Sequence, residues 1–256
     1  MDEIPKNKKI YVFIFILMII TAIVLSIQNK KETSSKKPEN PTIVEEEIKP
    51  ELRELCYYKG DKTKSGLYDV AWLKLSTAGE KITGEFHNIP AESDSKIGSF
   101  EGTVSKLIPE IMGRRANVWW NSYAEGMNVK EELAIEFGDG SATVGFGEMI
   151  DRGDGVYIYK NKDNLYYIKS MSQIDCETLD EKLFTEKYIR NNIGTIATNK
   201  PVLGGSWYVV STVINPLAHT GEVTYEDGHI QNKANFIYTY EKNPQNITVT
   251  KFELIK

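Results

Sequence analysis

Between residues 67 and 168 apolar side chains recur at every second position, in short runs broken by turn residues. Successive side chains on a strand point to opposite faces, so this period reads as β-strands with one face buried. The strands expected are 67–75, 81–87, 100–104, 116–121, 129–137, 142–148, 156–159 and 165–168. In the second, Ile82, Gly84 and Phe86 share one face while Thr83, Glu85 and His87 take the other, and Phe100, Gly102 and Val104 repeat the pattern. Gly138-Asp139-Gly140 joins one expected hairpin, and residues 161–164 (NKDN) join the last. Eight strands with short links suit an up-and-down antiparallel barrel of calycin-like kind, or a sandwich made of the same meanders. Gly84, Gly102 and Gly145 stand mid-strand, where a sharply bent barrel strand or a bulge places glycine.

The period changes after Cys176. Leu179, Leu183, Phe184, Tyr188, Ile189 and Ile193 form a helical stripe over residues 177–192, with Thr178 as N-cap, Asp180 and Glu181 in the first turn, and Gly194 as the stop. Strands follow at 206–213, 221–225, 230–240 and 247–254. The chain is therefore expected to be mainly β: a barrel or sandwich over residues 53–176, then a small α+β domain over residues 177–256 with one helix across a four-stranded antiparallel sheet.

Residues 10–27 (IYVFIFILMIITAIVLSI) carry no charge. As a helix they span about 27 Å, close to the hydrocarbon thickness of a bilayer. Lys6, Lys8 and Lys9 precede the run and no small-x-small cleavage site follows it, which favours a retained transmembrane anchor over a removed signal peptide. Residues 1–9 are expected to be a short cytoplasmic tail, and residues 28–52, rich in Lys, Glu and Pro, a disordered tether. Without residues 1–31 the chain has 26 basic and 34 acidic residues, a net charge of −8. That balance disfavours nucleic acid as a partner. The membrane, through residues 10–27, and a ligand or protein of the cell envelope are the partners expected.

Cys56 and Cys176 are the only cysteines in the chain, one expected just before the first strand of the β region and one just after its last. In an extracytoplasmic compartment such a pair reads as a disulfide, and with no histidine nearby it makes no metal-ligand set. Trp72, Trp119 and Trp120 are the candidate binding residues: neighbours on a strand cannot both face one core, so Trp119 or Trp120 belongs on an outer face or rim. That exposed ring is either a platform for a sugar or a partner, or packing for a loop. Arg152-Gly153-Asp154, flanked by Asp151 and Gly155, reads as a tight turn. Glu226, Asp227 and His229 pair carboxylates with an imidazole, yet no nucleophile accompanies them and a D-G turn explains the same residues. No phosphate-binding loop, dinucleotide glycine fingerprint, G-x-S-x-G, H-E-x-x-H or C-x-x-C is present, and neither a cofactor nor a catalytic set is expected.

The strings GLYDVAWLKL, GEFHNIPAESDSKIGSFEGTV, NVWWNSYAEGMNVKEEL and FGEMIDRGDGVY, with PVLGGSWYVV and VTYEDGHIQNKANFIYTY, resemble a family of membrane-anchored bacterial proteins to which no activity is assigned. The resemblance covers both expected folded blocks and implies an envelope location. The function expected is a non-enzymatic extracytoplasmic binding module. An envelope hydrolase and a structural subunit of an envelope complex are the alternatives.

Overall fold

A computed structural model describes residues 51–255 of the chain. The anchor expected at residues 10–27, and all of the tether before residue 51, lie outside the described residues. No helix among the described residues is long and apolar enough to cross a membrane.

Eight strands close into an antiparallel barrel: β1 (Arg53–Lys62), β2 (Tyr68–Ala78), β3 (Lys81–Ile89), β4 (Lys96–Val104), β5 (Gly113–Ala124), β6 (Met127–Gly138), β7 (Ser141–Phe146) and β10 (Tyr166–Ile174). Neighbours pair in chain order from β1 to β7, β7 pairs with β10, and β10 pairs with β1 to complete the ring. A short hairpin, β8 (Met149–Asp151) and β9 (Val156–Tyr159), stands outside that ring. Closure removes the exposed strand edges that an open sheet would carry.

The strand count matches the sequence reading, but the membership differs. Arg53–Lys62 is a strand, so Cys56 lies inside β1 rather than before the first strand. Leu55 and Tyr57 face the barrel core while Cys56 packs against a helix, so both faces are buried and no alternation marks the segment. Residues 156–159 do not form a hairpin with the strand after them. Here β9 pairs with β8 and, in parallel, with β6 at Lys130 and Glu131.

The barrel interior is filled. Leu73, Leu75, Ile82, Phe86, Phe100, Trp120, Ile135, Val144 and Met171 are among its buried side chains. Tyr57 is fully buried there, its hydroxyl donating to the Gly138 carbonyl at 2.9 Å. Burial pushes that phenol up to about 12. At Gly84 a Cβ would lie 2.2 Å from the Lys74 carbonyl oxygen, and at Gly102 2.3 Å from that of Asn117. Those two positions must be glycine for adjacent strands to bend this closely.

The disulfide Cys56–Cys176 forms, as expected, and ties β1 to the start of α1 (Cys176–Ile196). The helix begins one turn earlier than the sequence suggested. Asp175, not Thr178, is the N-cap, its carboxylate accepting from the Thr178 amide at 3.1 Å. Nor does Gly194 stop the helix, which runs to Ile196 with Ala197 as cap, because Gly194 has open space around it and no left-handed φ.

One part of α1 covers the barrel wall, with Leu179 packed among Cys56, Val70 and Trp72. Ile189 and Ile193 face instead a meander of β11 (Tyr208–Asn215), β12 (Thr220–Glu226), β13 (Gln231–Lys242) and β14 (Gln245–Leu254). This is the expected helix on a four-stranded antiparallel sheet. Between the two cores lies Lys182, its ammonium donating to the Ile214 carbonyl and sitting 4.3 Å from the centre of the Tyr58 ring. Desolvation pulls its pKa down to about 8.

Candidate functional site

The three tryptophans named from sequence are not brought together. Trp120 is buried in the barrel, its indole N–H donating to the Gly98 carbonyl at 3.0 Å. Trp72 is buried beneath α1 and stacks on His87 at 3.8 Å between ring centres. Burial in that stack lowers the His87 pKa to about 4. Trp119 alone stands half-exposed on the outer wall. The alternation that made one of the adjacent pair an outward ring is what separates them.

Outward residues of β5 and β6 form the floor of a cleft of about 310 Å³, and the segment from Tyr159 to Tyr167 forms its wall. Along β5 the outward positions are Arg115, Asn117 and Trp119. Two residues of strand advance about 6.8 Å, so the floor is roughly 13 Å long from Arg115 to Trp119. Each end carries an aromatic ring beneath a cation. Arg115 lies 5.6 Å from the Tyr167 ring centre, while Lys130 and Arg152 lie 5.7 and 5.8 Å from that of Trp119. The Tyr167 phenol has a raised pKa, chiefly from burial; Arg115 beside it lowers it and Glu136 raises it further.

Of the two carboxylates that line the cleft, Glu132 is engaged and Asp163 stands exposed. Glu132 accepts from Lys162 at 2.7 Å and from the Tyr159 amide at 3.1 Å, and Glu136 accepts from Arg115. Asn117 contributes an exposed amide to the floor. A floor of aromatic faces, an amide and ion pairs suits an extended polar ligand.

Tyr159 explains why β9 leaves the expected hairpin. The ladder between β6 and β7 covers only Ala134–Phe137, and the strands then diverge. The Tyr159 hydroxyl fills the fork, accepting from the Ala134 amide at 3.1 Å and donating to the Gly145 carbonyl at 2.8 Å. It thereby satisfies two backbone groups that the lost ladder would strand. Desolvation raises its pKa to about 12, so it stays a donor.

Other motifs resolve into turns. Arg152-Gly153-Asp154 caps the β8–β9 hairpin, with Arg152 paired to Asp154 and Gly153 in the left-handed region at φ 99°. Asp227 accepts from the amides of His229, Ile230 and Val202, which makes it a turn anchor and holds its carboxyl below the usual range. Glu226 is bound by Tyr208 and Gln231, so the carboxylates and His229 form no acid–base pair. Among the described residues no three His, Cys, Asp or Glu side chains gather as a metal site.

Sequence reading missed Tyr159, Tyr167 and Glu132, which reach the cleft through pairings remote along the chain. A signal was present only for their neighbour Glu131: Lys130-Glu131-Glu132 puts three charges in a row on a strand, so at least one must point inward. Comparison with protein-family models, curated proteins and solved structures finds no match to this chain.

Proposed function

We propose that the chain is a membrane-anchored, non-enzymatic binding module whose folded part lies outside the cytoplasm and whose ligand lies along the outer-wall cleft. One observation carries the ligand reading: side chains fill the barrel interior, while a ring-lined cleft of about 310 Å³ stays open on its outer wall. The Trp119 face, the Asn117 amide and the Tyr167 phenol favour a short oligosaccharide, whose rings have an apolar face and hydroxyl edges. The uncharged run of residues 10–27 and the Cys56–Cys176 disulfide support the location, since disulfides persist in oxidising compartments. The resemblance to membrane-anchored bacterial proteins supports it further.

A thermal-shift screen of the full chain in detergent, against oligosaccharides, tests the ligand. A sugar at about a hundred times its dissociation constant adds roughly 2.7 kcal/mol of stability. The reading expects such a shift in the native chain and its loss in Trp119→Ala. No shift from any sugar would favour a purely structural role. For the location, the chain is expected to resist alkaline extraction from membranes and to be cleaved by protease added outside the cell.

A further inference from the structure

A second pocket, of about 160 Å³, opens at the barrel mouth where β6 and β7 diverge. It shares Glu132, Leu133 and Tyr159 with the outer-wall cleft as a common wall, and the rest of its lining is its own. Its apolar lining includes the Trp120 indole, Leu133 and Met149, and its charged groups are Glu132, which is held by Lys162, and the pair Lys96 and Glu131. Glu131 occupies an inward position of β6, in line with Leu133, Ile135 and Phe137, and is only 8% exposed.

The two charges of that pair are unequal. The Glu131 carboxylate is fixed, accepting from Lys96 at 2.7 Å and from the Ser122 hydroxyl at 3.4 Å, with its side chain 10% exposed. Lys96 reaches it on a flexible stem from the rim, 32% exposed, and passes 5.3 Å from the Trp120 ring centre. A buried ion pair stabilises a fold little better than apolar packing, but stranding one of its members is costly. An entering carboxylate would have to draw Lys96 away and leave Glu131 buried without a partner. An entering ammonium takes Lys96's place on Glu131, and Lys96 turns into solvent without loss. The mouth therefore discriminates by charge, and its ring and methylene lining accepts the carbons that carry the amine.

We propose that the barrel mouth is a binding subsite for a primary amine, held as its ammonium by Glu131 against the Trp120 ring. The probe is n-butylamine, small enough to occupy the mouth alone, titrated at neutral pH into the full chain labelled with 5-fluorotryptophan. The chain has four tryptophans, and Trp120→Phe assigns the fluorine resonance in the mouth. That resonance is expected to move saturably with butylamine and not with butanol or butyrate. Glu131→Gln weakens the effect about tenfold or more, the loss of one charged partner. Lys96→Ala tightens it several-fold, because the internal competitor is gone, and butylamine restores the melting temperature that this variant loses. Trp119→Ala leaves the titration unchanged, which separates this subsite from the outer-wall cleft. The proposal is overturned by an equal response to butanol, by no saturable response to butylamine, or by weaker binding in Lys96→Ala. Should Glu131→Gln not fold, the direction of change in Lys96→Ala still decides.

Discussion

Trp119 and Trp120 are neighbours on one strand, yet they belong to different kinds of surface. Trp120 is 2% exposed in a filled interior, and Trp119 is half-exposed above an open cleft. The pleat alone makes that difference. The outer wall is itself divided. Over β1 and β2 it is covered by α1 and behaves as core, with Trp72, Val70 and Leu179 buried together. Over β5 and β6 no helix lies on it, and the segment from Tyr159 to Tyr167 walls an open cleft lined with charge. The wall under the helix is closed to solvent, and the wall over β5 and β6 keeps a cleft open to it.

The comparison breaks if substitutions on the two surfaces have similar effects. The largest expected effect is in the interior: Trp120→Ala leaves a cavity and costs about 4 kcal/mol in denaturant unfolding. Next comes the covered wall. Replacing Cys56 and Cys176 together by serine frees a loop spanning 120 residues and is expected to cost about 3 kcal/mol under oxidising conditions. Under reducing conditions the native chain should lose the same amount and the double variant nothing.

An effect of no greater size is expected at His87, stacked on Trp72, and it depends on pH. Its pKa is about 4 when folded and 6.5 when unfolded, so between those values the unfolded chain binds a proton that the folded chain does not. Stability contributed by His87 is complete above pH 6.5 and is lost as the pH falls to 4, about 3 kcal/mol in all. His87→Gln should flatten that part of the stability profile. A slope unchanged by this substitution would show that the stack does not hold the imidazole neutral.

Most strands were legible because one face of each is buried and the other wet, as in β3 and β13. β1 was not, since Leu55, Cys56 and Tyr57 are buried in succession between the barrel and α1. The β9 pairing was not legible either: it is set by where Tyr159 satisfies Ala134 and Gly145, a contact between distant segments. Of the cleft, Trp119 was half legible, because the pleat showed that one of two adjacent rings must face outward without showing which. Tyr167 and Glu132 give no local sign of their role. The helix start was misread by three residues because both Asp175 and Thr178 are good caps, and Asp175 allows Leu179 to sit over the disulfide.

On the proposed function the outer-wall cleft takes the sugar, and the packed barrel behind it carries the stability. Trp119→Ala tests it most directly, with unfolding free energy and oligosaccharide-induced thermal shift measured on the same preparation. The expected result is a stability within about 1 kcal/mol of the native chain, as for a half-exposed side chain, and no shift with a sugar that shifts the native chain. A loss of several kcal/mol with the sugar shift intact would contradict it, and would make Trp119 packing for the β8–β9 hairpin.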